Sequence, residues 1–353
     1  LGNIKEYKTE DKNRIFELLS RTYNPQLVKI YESIWEWLFT NNPFLPGDSG
    51  CVSIMEEGND LAGVVCSIFA DVKLNNCIRK CRWASFFIID QRYRGSGIEL
   101  ATSVMNSKYH PMFGFPNPKA SVFEKNLGFR HIGNIKSRIR IFNISSFFRR
   151  IRIDVPILSK TADISTASDK ELDYDDNGLN IRRIFDFDDT FDDFWEMAAS
   201  GYDYIVVRSR SYLHWRFVDS PIKYMIYKAI GKDNSLKGYI VLRILKNKIM
   251  TKGYIVDIFA RQDDFKSINS LVKFSVCLFK KEKCDLAECL ISTSRSAYNR
   301  ALYLNGFIIN RPKVEFLFFS GLESDMSQIS VLGKWFITAA DPDLEMTNIF
   351  PGS

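Results

Sequence analysis

The stretch that most constrains this chain is Trp83–Met105, WASFFIIDQRYRGSGIELATSVM. Its first part, Ala84 to Ile89, is a short apolar run rich in aromatic and β-branched residues, the pattern of a buried strand. Gly95 and Gly97 then permit a tight turn and close approach of another group to the backbone. From Ile98 the period becomes helical: Leu100 with Val104, and Ala101 with Met105, stand four apart. A strand, a glycine turn and a helix start in direct succession predict an anion site. The first helical turn points amides outward, and the helix dipole favours negative charge there. Hydrogen bonds dominate that expectation, at about 1.5–3 kcal/mol for each charged acceptor. The dipole contributes only roughly 0.3–1 kcal/mol.

The chain has 353 residues, enough for two domains or one large one. With 46% hydrophobic and 14% aromatic residues it can bury sizeable cores, which argues against disorder. A net charge of +6 suits a polyanionic ligand, but no long Lys/Arg block points to nucleic acid. No apolar run approaches the ~18 residues of a membrane span, and the opening LGNIKEYKTED has no signal-peptide core. The seven cysteines sit mostly in apolar surroundings, and Cys77-x-x-x-Cys81 is neither a redox nor a zinc spacing. Free structural thiols in a reducing cytoplasm are the expectation, with no metal.

Along the chain, Ile4–Tyr7 reads as a strand and Thr9 as the N-cap of the helix after it. A second amphipathic helix runs from Leu27 to Phe39 and stops at Asn41-Asn42-Pro43. Cys51–Met55 and Leu61–Phe69 form a hairpin around Gly58, and a third strand leads through Asn75-Asn76 to the central one. Met112–Phe115 is a short strand and Ala120–Asn126 a short helix. Leu127-Gly128-Phe129 is that helix's stop, and Arg130–Phe142 a last strand. Residues 155–178 are small, polar and acidic, and read as a linker. Asp186–Asp193 is an acidic cluster suited to a helix start. The second half then repeats marks of the first. Trp37-x-Phe39-x-x-x-Pro43 returns as Trp215-x-Phe217-x-x-x-Pro221, and Gly128-Phe129 as Gly306-Phe307. Both pairs are 178 positions apart (215 − 37 and 306 − 128).

Arg92-x-x-Gly95-x-Gly97 resembles the acyl-CoA-binding motif (Q/R)-x-x-G-x-(G/A) of the GNAT acetyltransferases. A second segment, with Asn117, Ala120, Phe123, Gly128 and Phe129, is similar to that family's Asn-x-x-Ala-x-x-Leu-Tyr-x-x-x-Gly-Phe. Glu124 stands where that pattern has tyrosine. The resemblance implies an α+β chain of two tandem GNAT-like domains, each a mixed, mostly antiparallel sheet flanked by helices. They would occupy 1–154 and 179–353, joined by the linker 155–178. The second copy is degenerate: after Tyr254–Ala260 the chain reads Arg261-Gln262-Asp263-Asp264, with no glycine and two carboxylates that would repel a pyrophosphate.

By this resemblance acetyl-CoA lies along Phe87, Ile88 and Ile89. Arg92, Arg94, Gly95, Ser96, Gly97 and Ile98 would serve its pyrophosphate, and Asn117 would stand beside it. Gly97→Glu is then expected to abolish binding in a folded protein. The implied reaction is acyl transfer to an amine of a small-molecule or sugar acceptor. Two alternatives are a Fem-type aminoacyl transferase using aminoacyl-tRNA and a non-catalytic acyl-CoA-binding protein. The central strand has no titratable residue, so the base is not identified. Glu124, Asp90 and Tyr93 are the candidates for proton transfer, with His110 as a further titratable group. Oligomeric state is not legible.

Overall fold

The computed structural model describes residues 2–47, 50–143, 174–176, 178–246, 250–292, 296–321, 329–342 and 344–345. Most of the expected linker lies outside them. The chain divides into two compact units. Unit 1 comprises Leu1–Asn134 and Val314–Val331; unit 2 comprises Ile135–Lys313 and Leu332–Pro351.

Unit 1 starts with β1 (Asn3–Glu6) and a 3₁₀ turn, Thr9–Asp11. Helix α1 (Lys12–Thr22) follows. Thr9 is not its cap. Asp11 instead accepts the Lys8 N–H at 3.1 Å, because the carboxylate reaches back across the turn. Helix α2 (Pro25–Trp35) is capped by Asn24, whose Oδ1 accepts the Leu27 N–H at 2.9 Å. It runs into a π turn, Glu36–Thr40, that carries Trp37 and Phe39. The sheet continues with β2 (Val52–Glu57), β3 (Asp60–Leu74) and β4 (Cys77–Ile89). Its two hairpins turn at Gly58 and Asn75, both in the left-handed region with φ of 61° and 55°. Then come α3 (Gly97–Met105), β5 (Met112–Gly114), α4 (Pro118–Asn126) and the start of β6 (Arg130–Ile141), whose residues from Ile135 on belong to unit 2.

The strands of unit 1 follow the order β1-β2-β3-β4-β5, antiparallel except for the parallel pair β4/β5. Residues 317–319 pair antiparallel with β5. Alternation along β4 sends Phe86 towards Tyr23 and Tyr31 on one face. Phe87 and Ile89 turn towards Leu100 of α3 on the other. Val104, Met105, Met112, Phe129 and Leu317 close the core under α3 and α4.

Unit 2 holds β7 (Tyr174–Asp176), β8 (Leu179–Ile184), α5 (Thr190–Ala199) and β9 (Tyr204–Val206). A short helix α6 (Arg210–Leu213) runs into a second π turn, His214–Val218, carrying Trp215 and Phe217. Next are β10 (Met225–Gly231), β11 (Leu236–Lys246) and β12 (Thr251–Ala260). They are followed by α7 (Phe265–Lys281), β13 (Leu286–Ser292) and α8 (Ser296–Leu304). The last strands are β14 (Ile308–Phe319), whose residues from Val314 on belong to unit 1, and β15 (Trp335–Thr338). In the acidic cluster, Asp188 accepts from Thr190 at the start of α5 and pairs with Lys228, while Asp189 pairs with Arg210.

The order β13-β12-β11-β10-β8-β7 is antiparallel except for β12/β13. The other side of β13 is taken by Ile139 and its neighbours from β6. Each unit therefore receives a strand segment from the opposite half of the sequence. The repeated marks fall on matching elements: both Trp-x-Phe pairs on π turns, and Gly128 and Gly306 at φ of 97° and 77° after a helix. Among the described residues no helix is long and apolar enough to cross a membrane. Five of the seven free cysteines are buried.

Candidate functional site

The site grows from a defect in β4. Opposite the step from Cys66 to Ser67 on β3, β4 carries one extra residue, Ser85. A bulge bends its strand and interrupts pairing. The parallel pairing with β5 runs through Arg82, Trp83 and Ala84 and ends at Ala84 opposite Gly114. Beyond it the two strands fork. The Asp90 N–H donates to Ala62 of β3 at 2.8 Å, so by alternation Ile88 and Phe86 also face β3. Phe87 and Ile89 thus turn their N–H and C=O groups to the open side of the fork. No strand pairs with them there among the described residues.

The fork leads to the glycine turn. Gln91–Ser96 is two short 3₁₀ turns joined by a kink at Tyr93, with the second entering α3 directly, and the Gly97 N–H donates to Arg94 O within it. Such bonds have poorer geometry than α-helical ones, so an anion can compete for these amides. No side chain caps α3. A Cβ at Gly95 would meet nothing within 4 Å, whereas one at Gly97 would stand 3.3 Å from Ile89 and 3.5 Å from Phe87. The two glycines therefore do different work. Gly95 is open to the outside, and Gly97 lets α3 pack on β4. Gly97 is buried rather than on the surface, so Gly97→Glu would disturb this packing as well as any ligand.

The charged residues divide in the same way. Arg92 is held by two carboxylates. It donates to Asp60 at 2.8 Å and to Asp90 at 3.0 and 3.2 Å. Arg21 adds a 3.2 Å contact to Asp90. The Arg92 guanidinium lowers the Asp90 pKa to about 2, which makes this carboxylate a weak proton acceptor. The Tyr93 hydroxyl donates to Asp60 at 2.8 Å, which raises its own pKa. Arg94 is exposed and makes no ion pair among the described residues. Ser96 lies 3.4 Å from Glu57, and Ile98 is exposed at the start of α3. His110 sits at the other end of β5, where burial lowers its pKa.

Helix α4 covers the apex of the fork. Asn117 caps it, with Oδ1 accepting the Lys119 and Ala120 N–H groups at 3.0 and 2.9 Å. Phe123 stacks on Phe87 with ring centroids 5.1 Å apart. Glu124 is half-buried, and its Oε2 lies 3.2 Å from where a Cβ on Gly114 would stand. The same Cβ would be 3.5 Å from Ala84. The carboxyl group is thus at the last paired rung of β4 and β5, not out in solvent. Helix phase left its direction open in the sequence; the missing side chain of Gly114 makes the room.

The corresponding place in unit 2 has the same fork and a different mouth. Strand β12 has its extra residue at Val256, immediately after the last parallel rung, Ile255 opposite Cys289. The next helix, α7, is capped: Asp264 accepts the Ser267 N–H at 3.0 Å. Arg261 is bound to Asp263 at 2.6 Å. The Ser267 amide at this helix start already meets a carboxylate of its own chain.

A mixed sheet with a forked parallel pair, a turn into an uncapped helix and helices on both faces defines a GNAT-like α+β fold. Solved structures agree. N-myristoyltransferase of Saccharomyces cerevisiae, solved with bound myristoyl-CoA and inhibitors, superposes with a TM-score of 0.58 at 12% identity, over 90% of this chain and 80% of that one. A GCN5-related N-acetyltransferase from Anabaena variabilis gives 0.58 at 12% identity, over 90% and 72%. A probable N-acyltransferase from Enterococcus faecalis gives 0.57 at 11%, over 90% and 72%. At these identities the likeness establishes the fold. No family model matches the chain, and no curated protein matches its sequence.

Proposed function

We propose that this chain is an acyl-CoA-dependent N-acyltransferase built from two tandem GNAT-like copies, of which unit 1 binds the thioester. The observation that carries this reading is the fork past Ala84 and Gly114, with the backbone of Phe87 and Ile89 facing its open side and Gly95 open at its mouth. An extended pantetheine needs such free main-chain groups to pair with, and a pyrophosphate needs a glycine that admits it. Gly95 and the amides around it suit the phosphates, with Arg94 as the available cation. Arg92 serves the turn by fixing Asp60 and Asp90. Coenzyme A supplies an activated acyl thioester when bound.

In this reading the chain's own residues do three things. The Phe87 and Ile89 amides orient the acyl group and donate to charge developing on its carbonyl oxygen. The rings of Phe87 and Phe123 exclude water beside it. Glu124 holds a proton at its carboxyl group and gives it to the departing sulfur, the task for which the related pattern uses tyrosine. The acceptor is an amine, for which a small molecule or a sugar is our reading by analogy with similar proteins, and the acyl group is acetyl. Binding of coenzyme A, acetyl-CoA and myristoyl-CoA, measured by calorimetry, tests the reading together with thiol release against a panel of amines. One site per chain and amine-dependent thiol release are expected. Binding without release supports a non-catalytic acyl-CoA-binding protein, and no binding of any thioester overturns the proposal.

A further inference from the structure

The fork in unit 2 is filled by the chain itself. Past the last rung of β12 and β13, Thr338 of β15 pairs through its backbone with Ile291 of β13, and Ile337 with Ser292. The Thr338 hydroxyl also donates to Asp257 of β12 at 2.8 Å. One short segment therefore bridges both prongs. Its outer side pairs with β9, Trp335 with Tyr204 and Phe336 with Ile205. Phe336 is buried against Tyr202 and Tyr298, with ring centroids 4.9 and 5.1 Å away. At the apex only a cavity of about 20 Å³ is left, between Val256, Leu290, Ala339 and Glu345. That is room for one water.

The charges of this fork are arranged around the segment. Arg208, Arg216 and Arg243 come from three different places in the chain and are almost wholly buried. Asp257, on β12, is the carboxylate that the fork strands place against Arg208, at 3.4 Å. The segment brings the rest. Asp341 meets Arg208 at 2.8 Å, and Glu345 meets Arg216 at 3.1 Å and Arg243 at 2.7 Å. The Tyr224 hydroxyl also donates to Glu345, at 2.7 Å. Among the described residues these three guanidiniums meet Asp257 from the fork and two carboxylates from the segment, so the segment brings most of the negative charge placed against them. Buried charges persist only when paired in this way.

We propose that unit 2 contains a strand-accepting peptide site whose resident ligand is the chain's own strand Trp335–Thr338 together with the acidic anchors Asp341 and Glu345 that follow it. The site recognises an extended strand of three apolar residues and a threonine by main-chain pairing on both edges. It then recognises an acidic side chain three residues after the strand, and another seven residues after it. An acidic, strand-forming peptide of another protein would fit the same slot only by displacing this segment. The inference is independent of what unit 1 binds.

The test uses the full chain and a fluorescent peptide spanning residues 334–345. Glu345→Ala removes the anchor shared by two arginines. Hydrogen exchange at Trp335–Thr338, Ile291 and Ser292 is expected to quicken at least tenfold, with β8, β10 and β11 unchanged. The labelled peptide should bind this variant at least tenfold more tightly than wild type, whose slot is filled. A peptide carrying Glu345→Ala should not bind. If Glu345→Ala does not fold, Thr338→Val serves instead, removing the bridge to Asp257 at nearly constant volume. Faster exchange spread evenly over every strand of unit 2 would make the segment ordinary core and overturn the proposal. So would failure of the peptide to bind a variant whose segment amides exchange freely.

Discussion

The two units fork at the same structural point and leave opposite things in the opening. In each, a parallel strand pair ends one step before an extra residue, Ser85 in β4 and Val256 in β12. In each, a carboxylate stands at the apex. Glu124 of unit 1 is half-buried beside Gly114. Glu345 of unit 2 is fully buried and clasped by two arginines and a tyrosine. The mouth differs as well: α3 starts uncapped after a bare glycine, while α7 starts on Asp264. A fork by itself is therefore not a ligand site. What decides is whether the chain has satisfied the backbone and charges there with its own groups.

The comparison breaks most sharply at the two apex carboxylates. If Glu124 delivers the proton, Glu124→Gln should lower turnover by roughly 10²–10⁴ with thioester affinity nearly unchanged. Turnover within a factor of about two of wild type, under ~0.5 kcal/mol of barrier, would remove it from the mechanism. The ion pairs should separate the units next. Arg208→Met leaves Asp257 and Asp341 buried without their shared cation, and should cost roughly 3–5 kcal/mol in urea unfolding. Arg92→Met breaks pairs whose arginine is more than half exposed and screened by water, and should shift the urea midpoint far less. Equal losses would erase the contrast.

At the mouths, Gly95→Glu puts bulk and negative charge into open space without strain, because nothing lies within 4 Å of the new Cβ. Loss of two amide contacts at about 1.5 kcal/mol each corresponds to a fall in coenzyme A affinity of roughly 100-fold. Calorimetry showing unchanged affinity in the folded variant would remove the anion site. The converse exchange, Asp264→Gly in unit 2, should cost only roughly a few tenths of a kcal/mol of helix stability, because glycine is itself tolerated at an N-cap. It should also create no second site, since Arg261 and Asp263 remain and the fork behind them is filled.

The smallest effect concerns acid. Asp90 titrates at about 2 in the folded chain against roughly 3.9 unfolded, so its pairing stabilises above about pH 4 and is lost as pH falls towards 2. The difference in melting temperature between wild type and Asp90→Asn should shrink over that range. A constant difference would mean that Asp90 acts through packing alone.

Much of this was legible because it is local. The strand-turn-helix around Gly95, the helix stop at Gly128 and the repeated Trp-x-Phe marks each depend on residues within a few positions of one another, whereas Asn117 reads as a strand exit and a cofactor neighbour and is found capping α4. Thr9 shows the limit even there: two acids follow it, and the reach of Asp11 decided which residue capped the turn. Arg92 reads as a phosphate ligand until its partners are known, and Asp60 is more than thirty positions away. The filled fork of unit 2 was illegible for the same reason. Arg208, Arg216 and Arg243 look like surface residues in sequence, and the carboxylates that keep them buried lie about a hundred positions or more further on. Pairing at that distance leaves no periodic trace.

The exchange of strand segments has a consequence for how the molecule comes into being. Unit 1 is continuous to Asn134 and then waits for Val314. At about 5–20 residues per second on the ribosome, that gap of roughly 180 residues takes some 9–36 s to translate. Throughout that interval the edge of β5 that receives residues 317–319 is bare, an unpaired strand edge on a nascent chain. The pace of elongation across the second half therefore sets how long the first half must remain protected from its neighbours.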